Sequence, residues 1–172
     1  WDPAGRELTA EVGARLGDLT QAMLARGAFP PVLPGTRHVT LGGAVAADVH
    51  GKNHHATDGW GGSFADHLAW IDLLGPDGRE RRLHPGEPLF EATAGGMGLT
   101  GLILRAALHG RPAETGWILA ETRPAADLEA LAAALVEAEA RAPYAVAWLD
   151  GAATGPALGR GLVETGRHAR AE

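Results

Sequence analysis

The segment PGTRHVTLGGAVAADVHGKNHH, from Pro34 to His55, constrains the fold of this 172-residue chain more than any other. Most of its side chains are small, so the backbone can run close against a neighbouring element or a ligand. Gly35, Gly42 and Gly43 carry no Cβ, and Ala44, Ala46 and Ala47 add only a methyl group each. Thr36 and Thr40 set hydroxyls beside them that donate or accept hydrogen bonds. His50 and Lys52 then bring an imidazole and a cation to the same stretch. Lys52 is the only lysine, against fourteen arginines. That marks a position suited to a compact charge on a thin stem rather than a guanidinium fork.

Around this segment the pattern alternates short strands with short helices. Glu7 to Gly13 reads as a strand. A helix opens at Gly17-Asp18, with Asp18 as N-cap and Gly27 as its stop. Phe29 to Leu33 is extended, and Gly43 to Val49 is a helical turn after the double glycine. Asp58 to Ser63 is a glycine loop. His67 to Leu74 and Arg79 to Leu83 flank Gly75-Pro76-Asp77-Gly78 as a β-hairpin. Pro88 to Ala94 is a helix, Gly95 to Gly101 a loop and Leu102 to Leu108 a strand. After Gly110-Arg111-Pro112 the composition shifts. Trp117 to Glu121 reads as a strand. Pro124 to Arg141 is an Ala/Leu/Glu-rich helix with Leu128, Leu131 and Leu135 on one face. Tyr144 to Leu149 is a strand, and the Gly- and Arg-rich last twenty residues are expected to be poorly ordered. The fold class is α+β.

Several function classes are excluded. The net charge is −6 and no long basic run exists, so nucleic acid is not a partner. Without cysteine there is no disulfide, thiol nucleophile or zinc ribbon. No apolar run is long enough for a transmembrane segment. Ser63, the only serine, is followed by Phe64-Ala65, where a nucleophile elbow needs glycine at the second position. Gly96-Met97-Gly98-Leu99-Thr100-Gly101 matches G-x-G-x-x-G, but it comes after a helix and before a strand, the reverse of a dinucleotide fingerprint. His50, His54 and His55 with Asp58 offer metal-type ligands. Neighbouring histidines in a glycine loop are more often solvated, and no metal is assigned. Beginning at Trp1, the chain reads as an internal fragment.

The run PVLPGTRHVTLGGAVAADVHGKNHH, with GSFADH, IDLLGPDG, LFEATAGGMGLTGLIL, AWLD and ALGRGLV, resembles the FAD-dependent vanillyl-alcohol-oxidase superfamily, whose members carry a PCMH-type FAD-binding domain. The resemblance is strongest over residues 31–108. It implies that residues 1–112 are the second subdomain of that FAD-binding domain and that residues 113–172 begin an α+β substrate domain. The implied non-covalent FAD contacts are Gly35, Thr40, Leu41, Gly42, Gly43, Ala47, Asp48, Val49, His50 and Ile103. His50, Gly51 and Lys52 would line the substrate pocket, with His50 and Lys52 catalytic. Ala47 stands where the best-known members have cysteine.

The resemblance further implies oxidation of a sugar hydroxyl, the 2-hydroxyl of a lipid-linked substrate, polyprenyl-phosphoryl ribose, in arabinan-type cell-wall synthesis. Sugar-lactone or alditol oxidation and a non-catalytic flavin-binding module are the alternatives. An epimerising reductase is the implied partner, and the implied location is cytoplasmic or membrane-associated and periplasmic.

Overall fold

A computed structural model describes residues 1–171. The first part of the chain builds a four-stranded antiparallel sheet in the order β1-β5-β3-β4. Its strands are β1 (Glu7–Glu11), β3 (Leu68–Leu74), β4 (Glu80–Leu83) and β5 (Leu102–His109). A small pair, β2 (Ala28–Phe29) with β6 (Arg111–Pro112), closes one end. Helices α1 (Leu16–Leu24), α2 (Leu41–Ala46) and α3 (Pro88–Thr93) contribute to one core with this sheet. Leu16, Met23, Leu41, Val45, Phe64, Ile71, Phe90 and Leu108 are all buried there.

The second part is a three-stranded sheet, β7 (Ile118–Ala125), β9 (Gly161–His168) and β8 (Tyr144–Leu149), with β9 in the middle. Helix α4 (Leu128–Arg141) covers one face. Its core is small: Ala125, Leu131, Ala138, Ala145 and Val163. Alternation along each strand turns the other set of side chains to the opposite face. Ile118, Trp148 and Leu162 stand there with 42%, 56% and 42% of their surface exposed.

Four local expectations change. Helix α1 starts at Leu16 and Asp18 does not cap it. The N–H groups of Leu16 and Gly17 instead donate to the carbonyls of Val39 and Arg37, at 2.9 and 3.0 Å. Tertiary backbone thus does the work of a side-chain cap. Helix α2 contains the double glycine rather than starting after it, because Thr40 is its N-cap and accepts from Gly43 N–H. Strand β7 runs through Pro124, which an edge strand tolerates. Helix α4 therefore begins later, capped by Asp127, and Leu128 is half exposed while Leu131 is buried.

The largest correction concerns the chain's end. Residues 161–168 form the central strand of the second sheet, hydrogen-bonded on both sides. Glycine fits there because a Cβ at Gly161 would lie 2.1 Å from the Trp148 carbonyl oxygen.

One buried charge anchors the first sheet. Asp72 is 2% exposed, and both its carboxylate oxygens accept from Arg82, at 2.8 and 2.9 Å. Arg105 adds a contact at 3.0 Å, and Arg82 stacks on the Trp70 ring at 3.6 Å. Hydrogen bonding to Arg82 holds the Asp72 carboxyl below its ordinary pKa despite burial. A carboxylate with a depressed folded-state pKa contributes fully above its unfolded pKa, and the contribution is lost as pH falls through the folded value. Breaking a buried pair costs about 3–5 kcal/mol, and the half-exposed arginines reduce this to roughly 2 kcal/mol for Asp72→Ala. Urea unfolding of the full-length protein should show that loss near neutral pH and a shrinking difference from wild type in acid.

Candidate functional site

The GKNHH loop, Gly51 to His55, joins the two sheets. Asn53 is buried, and its amide donates to the carbonyls of Pro31 at 2.9 Å and Trp60 at 2.6 Å. That fixes the loop against the first part of the chain. A Cβ at Gly51 would meet Asn53 Oδ1 at 2.6 Å and the Leu33 carbonyl oxygen at 3.0 Å, so this position requires glycine. On the other side, the Lys52 carbonyl accepts from Ala145 N–H of β8 at 2.9 Å. A second bridge lies nearby. Arg111 donates to the Tyr144 hydroxyl at 3.2 Å, and that hydroxyl lies 3.1 Å from His168 Nε2. Burial lowers the pKa of His168, with the charge on Arg111 assisting. A neutral ring can accept the tyrosine proton. Burial likewise raises the Tyr144 pKa.

These contacts frame a cleft of about 370 Å³ between the segment Phe29 to Gly35, Lys52 and the open face of the second sheet. Ile118, Tyr144, Val146 and Glu164 form the sheet's side. A smaller recess of about 260 Å³ adjoins it, where Gly35, His50, Gly51 and Lys52 meet Leu135 and Glu139 of α4. Lys52 Nζ stands 5.6 Å from the Trp148 ring centroid, within cation–π range. Trp148 is itself held by its indole N–H, which donates to Glu164 at 2.8 Å. Among the described residues Lys52 makes no ion pair, so its charge is available to an anion.

The sequence-derived site residues divide into three groups. Gly35, Thr40, Gly43, Ala47, His50 and Lys52 are exposed, and Gly35 has open space where a Cβ would point. Leu41 and Ile103 are buried in the core, so the structure gives their side chains a packing role. Gly42 also packs, since its Cβ would lie 2.9 Å from Val12 Cβ. Asp48 and Val49 support His50 from behind. Asp48 adopts a left-handed φ of 42° while its carboxylate accepts from Ala65 N–H at 2.8 Å, and the Val49 carbonyl accepts from Phe64 N–H. The Gly95–Gly101 loop buttresses α2, with Gly95 N–H and Met97 N–H donating to the carbonyls of Val45 and Ala46.

Trp148, Tyr144 and Glu164 escaped notice in the sequence. Their strands read as ordinary sheet, and only pairing of β8 with β9 turns them toward Lys52. Asp58, grouped with the histidines by spacing, does not join them. Glu139 of α4 takes that place, with one ligand atom each from His54, His55 and Glu139 lying within 4.8 Å of one another.

Residues 1–84 match the FAD binding domain family. With its relatives, this match makes the chain similar to FAD-dependent oxidoreductases. It is 41% identical to the decaprenylphosphoryl-beta-D-ribose oxidase of Mycolicibacterium smegmatis, over 98% of this chain and 37% of that protein. It is 46% identical to an uncharacterized protein in the mprA 5′ region of Streptomyces coelicolor, over 90% of this chain and 41% of that protein. An alditol oxidase from a Streptomyces species is 29% identical over 77% of the chain and 32% of that enzyme. The chain therefore spans about two fifths of the length of the first two relatives.

FAD is the cofactor this family implies, and the residues present fit it. The open space at Gly35 and the exposed Gly43 and Ala47 let a flat ring system reach backbone. The apolar cleft beside Lys52 suits a group that carries both a planar face and negative charge.

Proposed function

We propose that this chain forms the flavin- and substrate-facing part of an FAD-dependent oxidoreductase that oxidises a sugar hydroxyl. The substrate we propose is a polyprenyl-phosphoryl ribose, oxidised at its 2-hydroxyl. The observation that carries this reading is the convergence of Gly35, His50, Gly51 and Lys52 on one recess. The similarity to a decaprenylphosphoryl-beta-D-ribose oxidase supports the choice of sugar. Bound FAD would supply the redox chemistry by taking hydride from the carbinol carbon.

The chain's own residues do the rest. Lys52 holds negative charge, either on the substrate phosphate or on the hydroxyl oxygen as its proton leaves. His50 orients the hydroxyl and accepts that proton. Phe29 and Tyr144 give the cleft an aromatic wall, which suits a sugar ring, and Glu164 keeps Trp148 in place beside Lys52. A lipid-linked substrate puts this work at a membrane surface. Its ketone product calls for a reductase that completes the epimerisation, in keeping with a role in arabinan-type cell-wall synthesis. Oxidation of a free alditol is the second reading, favoured by the similarity to an alditol oxidase.

The full-length protein should be incubated with polyprenyl-phosphoryl ribose and with xylitol, and the products identified by mass and NMR. A ketone at C2 of the lipid-linked ribose is expected. Oxidation of xylitol with the ribose lipid untouched would transfer the assignment to the alditol class.

A further inference from the structure

We propose that His54, His55 and Glu139 form a site for a divalent transition metal of the zinc class, which clasps the GKNHH loop to helix α4. Ligand atoms from the three residues lie within 4.8 Å of one another. The two ring planes stand at 87°, with centroids 5.6 Å apart, so the imidazoles do not stack and hide their nitrogens.

The hydrogen bonds fix which nitrogens are available. His55 Nε2 lies 3.0 Å from the Ala142 carbonyl oxygen. A carbonyl only accepts, so Nε2 carries the proton and Nδ1 presents a lone pair. That Nδ1 is buried and has no hydrogen-bond partner. His54 Nδ1 lies 3.2 Å from the Gly51 carbonyl oxygen, which by the same reasoning leaves Nε2 with its lone pair free. An imidazole whose second nitrogen donates to a backbone carbonyl is the usual arrangement of a metal-bound histidine, because it fixes both tautomer and ring orientation. Here two neighbouring histidines share it. Glu139, half buried on α4, supplies an anionic oxygen. Two imidazoles and a carboxylate with a fourth position open to water form a common zinc ligand set.

The ligands must close slightly to bind. A tetrahedral ion with bonds of about 2.1 Å needs ligand atoms roughly 3.4 Å apart. His54 is exposed and Glu139 stands on a helix surface, so side-chain rotation can bring them in. The ion would then join α4 to the loop whose Lys52 faces the cleft. His50 lies outside the group, although its ring centroid is 5.5 Å from that of His54. The metal would thus order the loop and, through His54 and Glu139, one wall of the recess that holds His50 and Lys52.

The test uses the full-length, FAD-loaded protein, stripped with a chelator and titrated with zinc chloride by calorimetry, with melting temperature read in parallel. One equivalent of zinc and a raised melting temperature are expected. His54→Asn and Glu139→Gln should each weaken binding at least tenfold while the far-UV circular dichroism stays that of wild type, and His50→Ala should bind zinc like wild type. Absence of stoichiometric binding, affinity unaffected by both ligand variants, or binding lost only with His50→Ala would each overturn the assignment. Because the readout is zinc affinity, the outcome is independent of which sugar the enzyme oxidises.

Discussion

Replacing Lys52 with methionine in the full-length protein should slow flavin reduction by the proposed substrate about 10²- to 10³-fold, the loss typical of removing one preorganised electrostatic donor. Methionine preserves the unbranched stem and removes only the charge. The Lys52 backbone would keep its place, because its carbonyl is bonded to Ala145 N–H and its neighbours Gly51 and Asn53 are packed against Leu33 and Pro31. FAD content should therefore be close to normal. Lys52→Arg restores charge with a bulkier head and should recover part of the rate. Rapid mixing under anaerobic conditions measures this directly. A methionine variant that reduces its flavin at the wild-type rate would remove Lys52 from the chemistry.

Phe64→Ala should destabilise the same protein by about 3–5 kcal/mol, as expected for deleting a fully buried ring. Phe64 is 0% exposed and belongs to the core beneath the site. Its N–H donates to the Val49 carbonyl at 2.9 Å, and the next residue's N–H is held by Asp48. A cavity there would loosen the Asp48–Val49 turn that carries His50. Weaker FAD retention should accompany the loss of stability. Urea unfolding and the flavin-to-protein absorbance ratio check both effects. A shift below about 1 kcal/mol would mean that the core collapses around the gap, against this picture of a rigid support.

Much of this molecule was legible in the sequence. The hairpin around Gly75-Pro76-Asp77-Gly78 and the strands on either side of α4 arise from turn chemistry and apolar alternation. The features that were not legible depended on distant partners. Leu16 and Gly17 find carbonyls at Val39 and Arg37, so no local cap signal marks that helix start. Strand β9 was hidden because glycine and arginine disguise it, and its glycines make sense only beside Trp148 and Tyr144.

The site shows the same division. The concentration of Gly35, His50 and Lys52 was plain from spacing, whereas Trp148, Glu164 and Glu139 reach it from the far part of the chain. The motif also proved to hold two kinds of residue. Leu41, Gly42 and Ile103 build the support. Gly35, Gly43, Ala47 and His50 present the surface.

The most direct test is the flavin spectrum of the full-length protein after anaerobic addition of polyprenyl-phosphoryl ribose. Bleaching of the oxidised flavin band by the lipid-linked ribose, in stoichiometric amount and without added reductant, is the predicted result. A flavin that stays oxidised with this substrate while an alditol bleaches it would contradict the proposed specificity, and a purified protein with no flavin would contradict the account at its root.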